Sequence, residues 1–289
     1  MTPGYQALRH GAAWIDLSAR GRIVARGRDR ARLLHAITTN EIKKLVPGSG
    51  CYSFLLSPQG RIQADLNVFC FADYLLLDTE PETREKIQQH IKRYIIADQV
   101  ELEDVTATTA CIGLEGQGAG AILSALGAGA PTDAYAHVAW GDSTIAAISA
   151  TGQPGVRIFA PSAEALISTL EANGAVAASA DDVRLVRIEN GRPRYGEDIA
   201  DNRLPQETQQ MHAVSFNKGC YIGQEIVERI RAQGQVNRKL MRVDLEGETI
   251  PEHGTKTTVG GNEAEITSAV FSPEANHVIA LAYVRVPKT

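Results

Sequence analysis

Cysteine is scarce in this chain. The four residues, Cys51, Cys70, Cys111 and Cys220, are widely scattered, with no Cys-x-x-Cys pair and no Cys/His ligand spacing. That speaks against a disulfide scaffold and against a permanent four-thiolate cluster, and fits a reduced, cytoplasmic protein. The seven histidines show no paired spacing either, so a structural metal site is not expected. No apolar run approaches membrane-spanning length, and the N-terminus lacks the basic-then-apolar pattern of a signal peptide. An excess of positive charge is also missing. The 29 basic and 34 acidic residues give −5 with no long basic block, which disfavours direct nucleic-acid binding. No repeat of fixed period is present. What is present, 44% hydrophobic and 22% charged residues over 289 positions, describes an ordinary globular protein of two or three packed units.

Periodicity and turn chemistry predict alternating α and β elements. Residues 28–38 read as a helix with Leu33, Leu34 and Ile37 on its apolar face. Residues 51–57 and 62–71 read as two strands joined at Gly60, a hairpin. A strand at 74–79 precedes an amphipathic helix at 81–96, whose Pro81 suits the first turn. Strands follow near 100–105 and 109–114, then a helix at 119–126. After a Gly/Ala/Pro-rich connection come strands at 137–140, 144–150 and 155–160. Ser162 and Gly174 bracket a helix at 162–172, and 181–189 is a further helix that delivers Glu189 at its end. Beyond residue 235 short strands separated by Gly, Pro and His suggest a small antiparallel barrel or sandwich. The first domain break is placed at 234, giving domains 1–234 and 235–289. The glycine-rich run at 113–120 lacks the dinucleotide fingerprint and reads as a strand-to-helix turn.

The most informative stretch is Lys218-Gly-Cys-Tyr-Ile-Gly-Gln-Glu225. Gly219 and Gly223 permit a tight turn and a close backbone approach. A helix begins after Gly223, with Ile226, Val227 and Ile230 on one side. Cys220 sits near its start, where the helix dipole and Lys218 both favour thiolate; the competing reading is an inert buried thiol. This octapeptide resembles the signature of the YgfZ family, folate-binding relatives of the glycine-cleavage T protein (aminomethyltransferase). Arg187-Ile-Glu-Asn-Gly-Arg-Pro-Arg-Tyr-Gly-Glu-Asp198, Pro205-Gln-Glu207 and Asn237-Arg-Lys-Leu240 extend the likeness over nearly the whole chain.

The resemblance implies an α+β fold of two interleaved α+β units plus a small C-terminal antiparallel β-barrel. It also implies tetrahydrofolate, or a one-carbon derivative, as ligand. Glu189 occupies the place of a glutamate that binds the pterin in T proteins, and a carboxylate can accept two adjacent pterin hydrogen bonds. On its own, Glu189 reads as a solvated helix-end acid or a partner of Arg187 or Arg192, since surface acids are common. Asp65 lies in the segment that carries the T-protein aspartate thought to assist catalysis. Ala64 replaces the first acid of that pair and Arg61 the second glycine, a departure that points away from aminomethyl transfer while leaving folate binding. Arg229 either pairs with Glu225 on the helix surface, a contact worth ~0.3–0.5 kcal/mol, or reaches the folate tail. Lys218 either steers that tail, polarises Cys220 or is solvated. Tyr195 and Tyr221 either stack on the ligand or pack in the core. The implied role is an accessory protein for assembly or repair of iron–sulfur clusters in client enzymes, tRNA-modifying ones among them, with client enzymes or cluster-assembly proteins as partners. The alternatives are a folate-dependent aminomethyltransferase or demethylase, and a noncatalytic folate-binding scaffold.

Overall fold

The computed structural model describes residues 1–234 and 236–287. The chain begins with α1 (Pro3–His10), β1 (Ala13–Asp16), β2 (Gly21–Arg26), α2 (Arg30–Ile37), β3 (Gly50–Leu56), β4 (Ile62–Cys70) and β5 (Tyr74–Thr79). It continues through α3 (Arg84–Tyr94), β6 (Glu101–Asp104), β7 (Ala110–Glu115), α4 (Ala119–Ala125), β8 (His137–Trp140), β9 (Ser143–Ala146) and β10 (Gly155–Ala160). Next come α5 (Ala163–Ala172), β11 (Val176–Ala177), α6 (Ala180–Glu189) and α7 (Gln224–Gln233). The last four strands are β12 (Arg238–Leu245), β13 (Lys256–Val259), β14 (Asn262–Ser272) and β15 (His277–Arg285). No helix among the described residues is long and apolar enough to cross a membrane.

Three sheets organise these elements. The order β3-β4-β5-β2-β6 makes an antiparallel five-stranded sheet, and β11-β1-β7-β10-β9-β8 a six-stranded one in which only β1 and β11 run parallel. The chain leaves the six-stranded sheet after β1, builds the five-stranded sheet, and returns at β7. That excursion is the interleaving of two α+β units, which strand spacing alone does not reveal. The alternation of β5 explains the layering: Leu75 and Leu77 join Leu33, Leu34, Ile87 and Ile91 of the helices over one face. Leu76 faces the other way, with Phe69, Phe159 and Ile148, in the seam between the two sheets. Phe69 and Phe159 meet edge-on there, 5.4 Å apart.

The third sheet, β12-β15-β14-β13, is the antiparallel C-terminal unit. Ile188 of α6 packs on Val270 and Ile279 of this sheet. Asp198 is held under it by the hydroxyls of Thr267 and Ser268, each donating at 2.6 Å, and by Arg187. Gly234 closes α7 in the left-handed conformation. Gln235, where the second domain was expected to begin, lies outside the described residues.

Local chemistry accounts for most boundaries. Ser179 and Asp182 form a reciprocal capping box at the start of α6. Ser162 does precede α5, yet its side chain makes no capping hydrogen bond. Residues 144–150 were expected to be one strand, but β9 ends at Ala146. The reason is Glu115, whose buried carboxylate accepts from the backbone N–H groups of Ala150 and Thr151 and from the Ser149 and Thr151 hydroxyls. Those donors turn away from a strand ladder to satisfy a buried charge. The first three elements, α1, β1 and β2, went unread in the sequence.

Candidate functional site

A cavity of ≈ 130 Å³ opens where the five- and six-stranded sheets diverge from the seam. Its walls come from stretches well separated in the chain. β3 and β4 supply Tyr52, Asp65 and Asn67; the loop after β9 supplies Ser149 and Ala150; β10 supplies Arg157; the segment after α6 supplies Arg192, Pro193 and Arg194. Arg20, Glu80, Tyr135, Arg187 and His212 complete it.

Two acids on adjacent strands have opposite electrostatic fates. Asp78 is fully buried behind the wall and accepts from Arg20 (2.9 Å), Asn67 (2.8 Å) and Arg157. Burial alone would raise its pKa, but the Arg157 and Arg20 cations prevail and hold it below the ordinary carboxylate range. Asp65 has no such cation in contact. The Tyr52 hydroxyl donates to its Oδ2 at 2.7 Å. Burial, followed by the charge of Glu80, pushes Asp65 up to about 7. An acid poised there can give or take a proton at neutral pH.

Aromatic rings flank this acid. Tyr52 and His212 stack, with centroids 5.4 Å apart and planes inclined by 26°. Burial and the nearby Arg192 both lower the His212 pKa, so the ring is neutral at pH 7. Tyr135 adopts φ +63°, a left-handed conformation that costs a non-glycine residue on the order of 1–3 kcal/mol. Its backbone is pinned there by a hydrogen bond from its N–H to Ala147 O at 3.0 Å. Among the cavity arginines, Arg20 pairs with Asp78 and Glu80, Arg157 with Asp78, Arg187 with Glu197 and Asp198, and Arg194 with Glu80 and Glu82. Among the described residues, Arg192 forms no ion pair, and the buried Nε–H of Arg157 has no acceptor.

Of the residues singled out from the sequence, Asp65 alone lines the cavity. Glu189 lies elsewhere. Its oxygens accept from Tyr5 of α1 (3.0 Å) and Ser272 of β14 (2.5 Å), and Arg9 is 3.9 Å away. It ties the first helix to the last sheet, and it is not among the residues that line the cavity. The segment that suggested it, 187–198, does reach the cavity, through Arg187, Arg192 and Arg194.

The octapeptide is a separate place. The Lys218 ammonium is buried and donates to three carbonyls, His35 O (2.6 Å), Thr38 O (2.7 Å) and Asn40 O (2.6 Å), where α2 ends. Burial pulls it down to about 8, while the three carbonyl dipoles work to keep it charged. It neither reaches solvent nor serves as a free cation. Gly223 has φ +81°, and a Cβ there would stand 2.7 Å from Ser57 O; Gly60 of the hairpin meets Ile226 in the same contact. Gly219, by contrast, has open space around it, so no close approach requires it. Tyr221 is buried beside Phe54, Leu56 and Val227. Tyr195 donates to Gln63 O (2.6 Å) and to Asp201. Both tyrosines are therefore core residues. Arg229 and Glu225 are exposed and form no ion pair among the described residues. Cys220 is the exposed cysteine, four residues ahead of α7, whereas burial pushes Cys111 up to about 12. No group of His, Cys, Asp or Glu side chains converges as a metal site among the described residues.

The sequence reading passed over Tyr52, Tyr135, Arg157 and His212, and named Arg192 only as a partner for Glu189. One signal was available: Tyr52 and Asp65 sit on facing arms of the predicted hairpin, so a pairing register would have brought them together.

Comparison with known proteins adds an independent line. The model of the GCVT N-terminal domain matches residues 2–218. An aminomethyltransferase of Rubrobacter xylanophilus is 30% identical over 290 residues, covering 97% of this chain and 78% of that protein. An aminomethyltransferase of Chlorobium chlorochromatii is 30% identical over 270 residues, covering 86% and 72%. The crystal structure of the glycine cleavage system aminomethyltransferase T from Bartonella henselae matches with a TM-score of 0.87 at 20% identity, covering 98% of this chain and 80% of that one. That match shows the fold.

Proposed function

Since the chain belongs to the GCVT N-terminal domain family, we propose that its cavity binds tetrahydrofolate or a one-carbon derivative. The observation that carries this reading is Asp65, buried, held by Tyr52 and pushed up to about 7, beside the stacked Tyr52–His212 pair. A planar heterocycle with ring N–H groups fits a flat aromatic wall next to such an acid. Tetrahydrofolate supplies, when bound, a ring nitrogen that can carry a one-carbon unit. Tyr52 would orient Asp65, and Asp65 would hold or move a proton at the ring edge.

The finer reading is a YgfZ-like accessory factor, cytoplasmic, that supports assembly or repair of iron–sulfur clusters in client enzymes, including tRNA-modifying ones. Its support is the octapeptide, the replacement of one acid by Ala64, and the exposure of Cys220 away from the cavity. In this reading residues 1–234 hold the folate, residues 235–289 brace that region, and Cys220 meets the client or cluster-assembly protein. A second reading, catalysed one-carbon transfer, draws support from the acid poised at about 7 and from the aminomethyltransferase relatives.

Anaerobic calorimetry with tetrahydrofolate tests the cavity. Wild type should bind, Asp65→Asn should bind at least tenfold more weakly, a loss of about 1.4 kcal/mol, and Glu189→Gln and Cys220→Ala should bind as wild type does. A Glu189→Gln variant that loses binding while Asp65→Asn keeps it would move the ligand away from this cavity. Cells lacking the protein, complemented with Cys220→Ala, then separate the accessory role from a scaffold: cluster-enzyme activity should stay low. Turnover of a methylamine donor by purified protein would favour the transferase.

A further inference from the structure

The donors left over in the cavity specify more than a flat ring. Arg20, Arg157, Arg187 and Arg194 are each matched by carboxylates. Among the described residues Arg192 is not, and it lines the cavity together with Tyr135, Tyr52 and His212. The Arg157 side chain is 3% exposed, spends one guanidinium nitrogen on Asp78, and leaves its Nε–H with no acceptor. A buried N–H without a partner forfeits roughly 1–3 kcal/mol, so a fold that keeps one at a cavity wall is set up for a ligand atom to complete it.

We propose that Arg192, with the Arg157 Nε–H and the Tyr135 hydroxyl, forms a carboxylate subsite in the cavity, beside the proton-transfer work of Asp65. One uncompensated cation matches one negative charge. A phosphate dianion would set a second charge near Glu80 and Asp65, and a neutral group would leave Arg192 unmatched. The planar guanidinium suits a carboxylate in particular, since both oxygens can be received at once. The ligand is then a flat ring carrying a carboxylate, or a ring with a separate small carboxylate beside it. Tyr135, held in its left-handed conformation, lines the same cavity as Arg192.

The inference rests on the folate reading for its first source, the glutamyl tail, but not for the subsite itself. Calorimetry on wild type, Arg192→Gln and Tyr135→Phe would use four probes: tetrahydrofolate, 6-methyltetrahydropterin (ring without tail), p-aminobenzoylglutamate (tail without pterin) and acetate. Melting curves would confirm that both variants fold. If the tail is the source, Arg192→Gln weakens tetrahydrofolate and p-aminobenzoylglutamate about 10–100-fold and leaves 6-methyltetrahydropterin within about twofold. If a separate carboxylate is the source, the same variant abolishes acetate binding and spares tetrahydrofolate. Tyr135→Phe should show the same pattern at smaller size. The proposal is overturned if Arg192→Gln leaves every carboxylate probe unchanged, if it weakens the tailless pterin as much as tetrahydrofolate, or if no carboxylate probe binds wild type. Wild type that ignores both pterins yet binds p-aminobenzoylglutamate through Arg192 would sink the folate reading and keep the subsite.

Discussion

The cavity and the octapeptide turn divide the labour in a way their sequences do not advertise. The turn is the most distinctive stretch of the chain, yet most of it is scaffold. Lys218 ties down three carbonyls at the end of α2, Gly223 lets the backbone pass Ser57, and Tyr221 fills the core. Cys220 and Glu225 are left on the surface. The cavity has no compact signature, and it concentrates the electrostatics: an acid raised to about 7, an acid held low by two arginines, and a cation that forms no ion pair among the described residues. A motif can be specific because it must fold in one way, while chemistry is assembled from positions far apart in the chain.

Replacing Lys218 by Met should break the comparison hardest. Three buried carbonyls lose their donor at once, and unfolding in urea should report a loss on the order of 3–5 kcal/mol. A loss under 1 kcal/mol would mean the lysine is not a staple.

Asp65→Asn should act in the opposite direction on stability. The folded pKa of Asp65 is raised above its unfolded value, so the native state keeps the proton longer and wild type loses stability as pH rises from about 4 to about 7. The asparagine variant lacks that loss. It should equal wild type below about pH 4 and exceed it above pH 7, by on the order of 2–4 kcal/mol. Denaturation midpoints across pH 3–9 would check the sign; a difference that stays flat with pH defeats the assignment.

A smaller effect separates the two glycines of the octapeptide. Gly223→Ala meets both a left-handed backbone and a carbonyl at 2.7 Å, and should cost about 1–3 kcal/mol. Gly219→Ala enters open space and should stay within about 0.5 kcal/mol. Thermal melts of the pair would decide it.

Cys220→Ala should be smallest in every measurement on the isolated protein, within about 0.5 kcal/mol in stability and about twofold in folate affinity. Any larger change would tie the thiol to the cavity, which the exposed position of Cys220 argues against.

Much of the secondary structure was legible beforehand. The hairpin of β3 and β4, the helix after Gly223 and the helix that ends at Glu189 all lie where periodicity, turn glycine and cap residues put them. The site was legible only in part. Asp65, which lines the cavity, and Glu189, which does not, were both named. The difference was decided by partners far away in sequence: Tyr5 and Ser272 claim Glu189 from α1 and β14, neither of which its own helix can foresee. α1 itself was missed: its eight residues are a short window, although Thr2 caps it and Tyr5, Ala7 and Leu8 form its buried face.

By itself the sequence determined most of the helical and extended segments from α2 onward, which residue types punctuate them, and that a thiol stands in a tight glycine turn. These follow from interactions within a few residues, which every copy of the segment would feel. The tertiary structure alone decided that Asp78 is clamped while Asp65 is left to titrate, that Lys218 is buried under a helix end, and that Arg192 lines the cavity with no carboxylate paired to it among the described residues. Those outcomes depend on burial and on charges brought together from distant parts of the chain. Coulomb energies in a low-dielectric interior are set by final distances and not by sequence spacing.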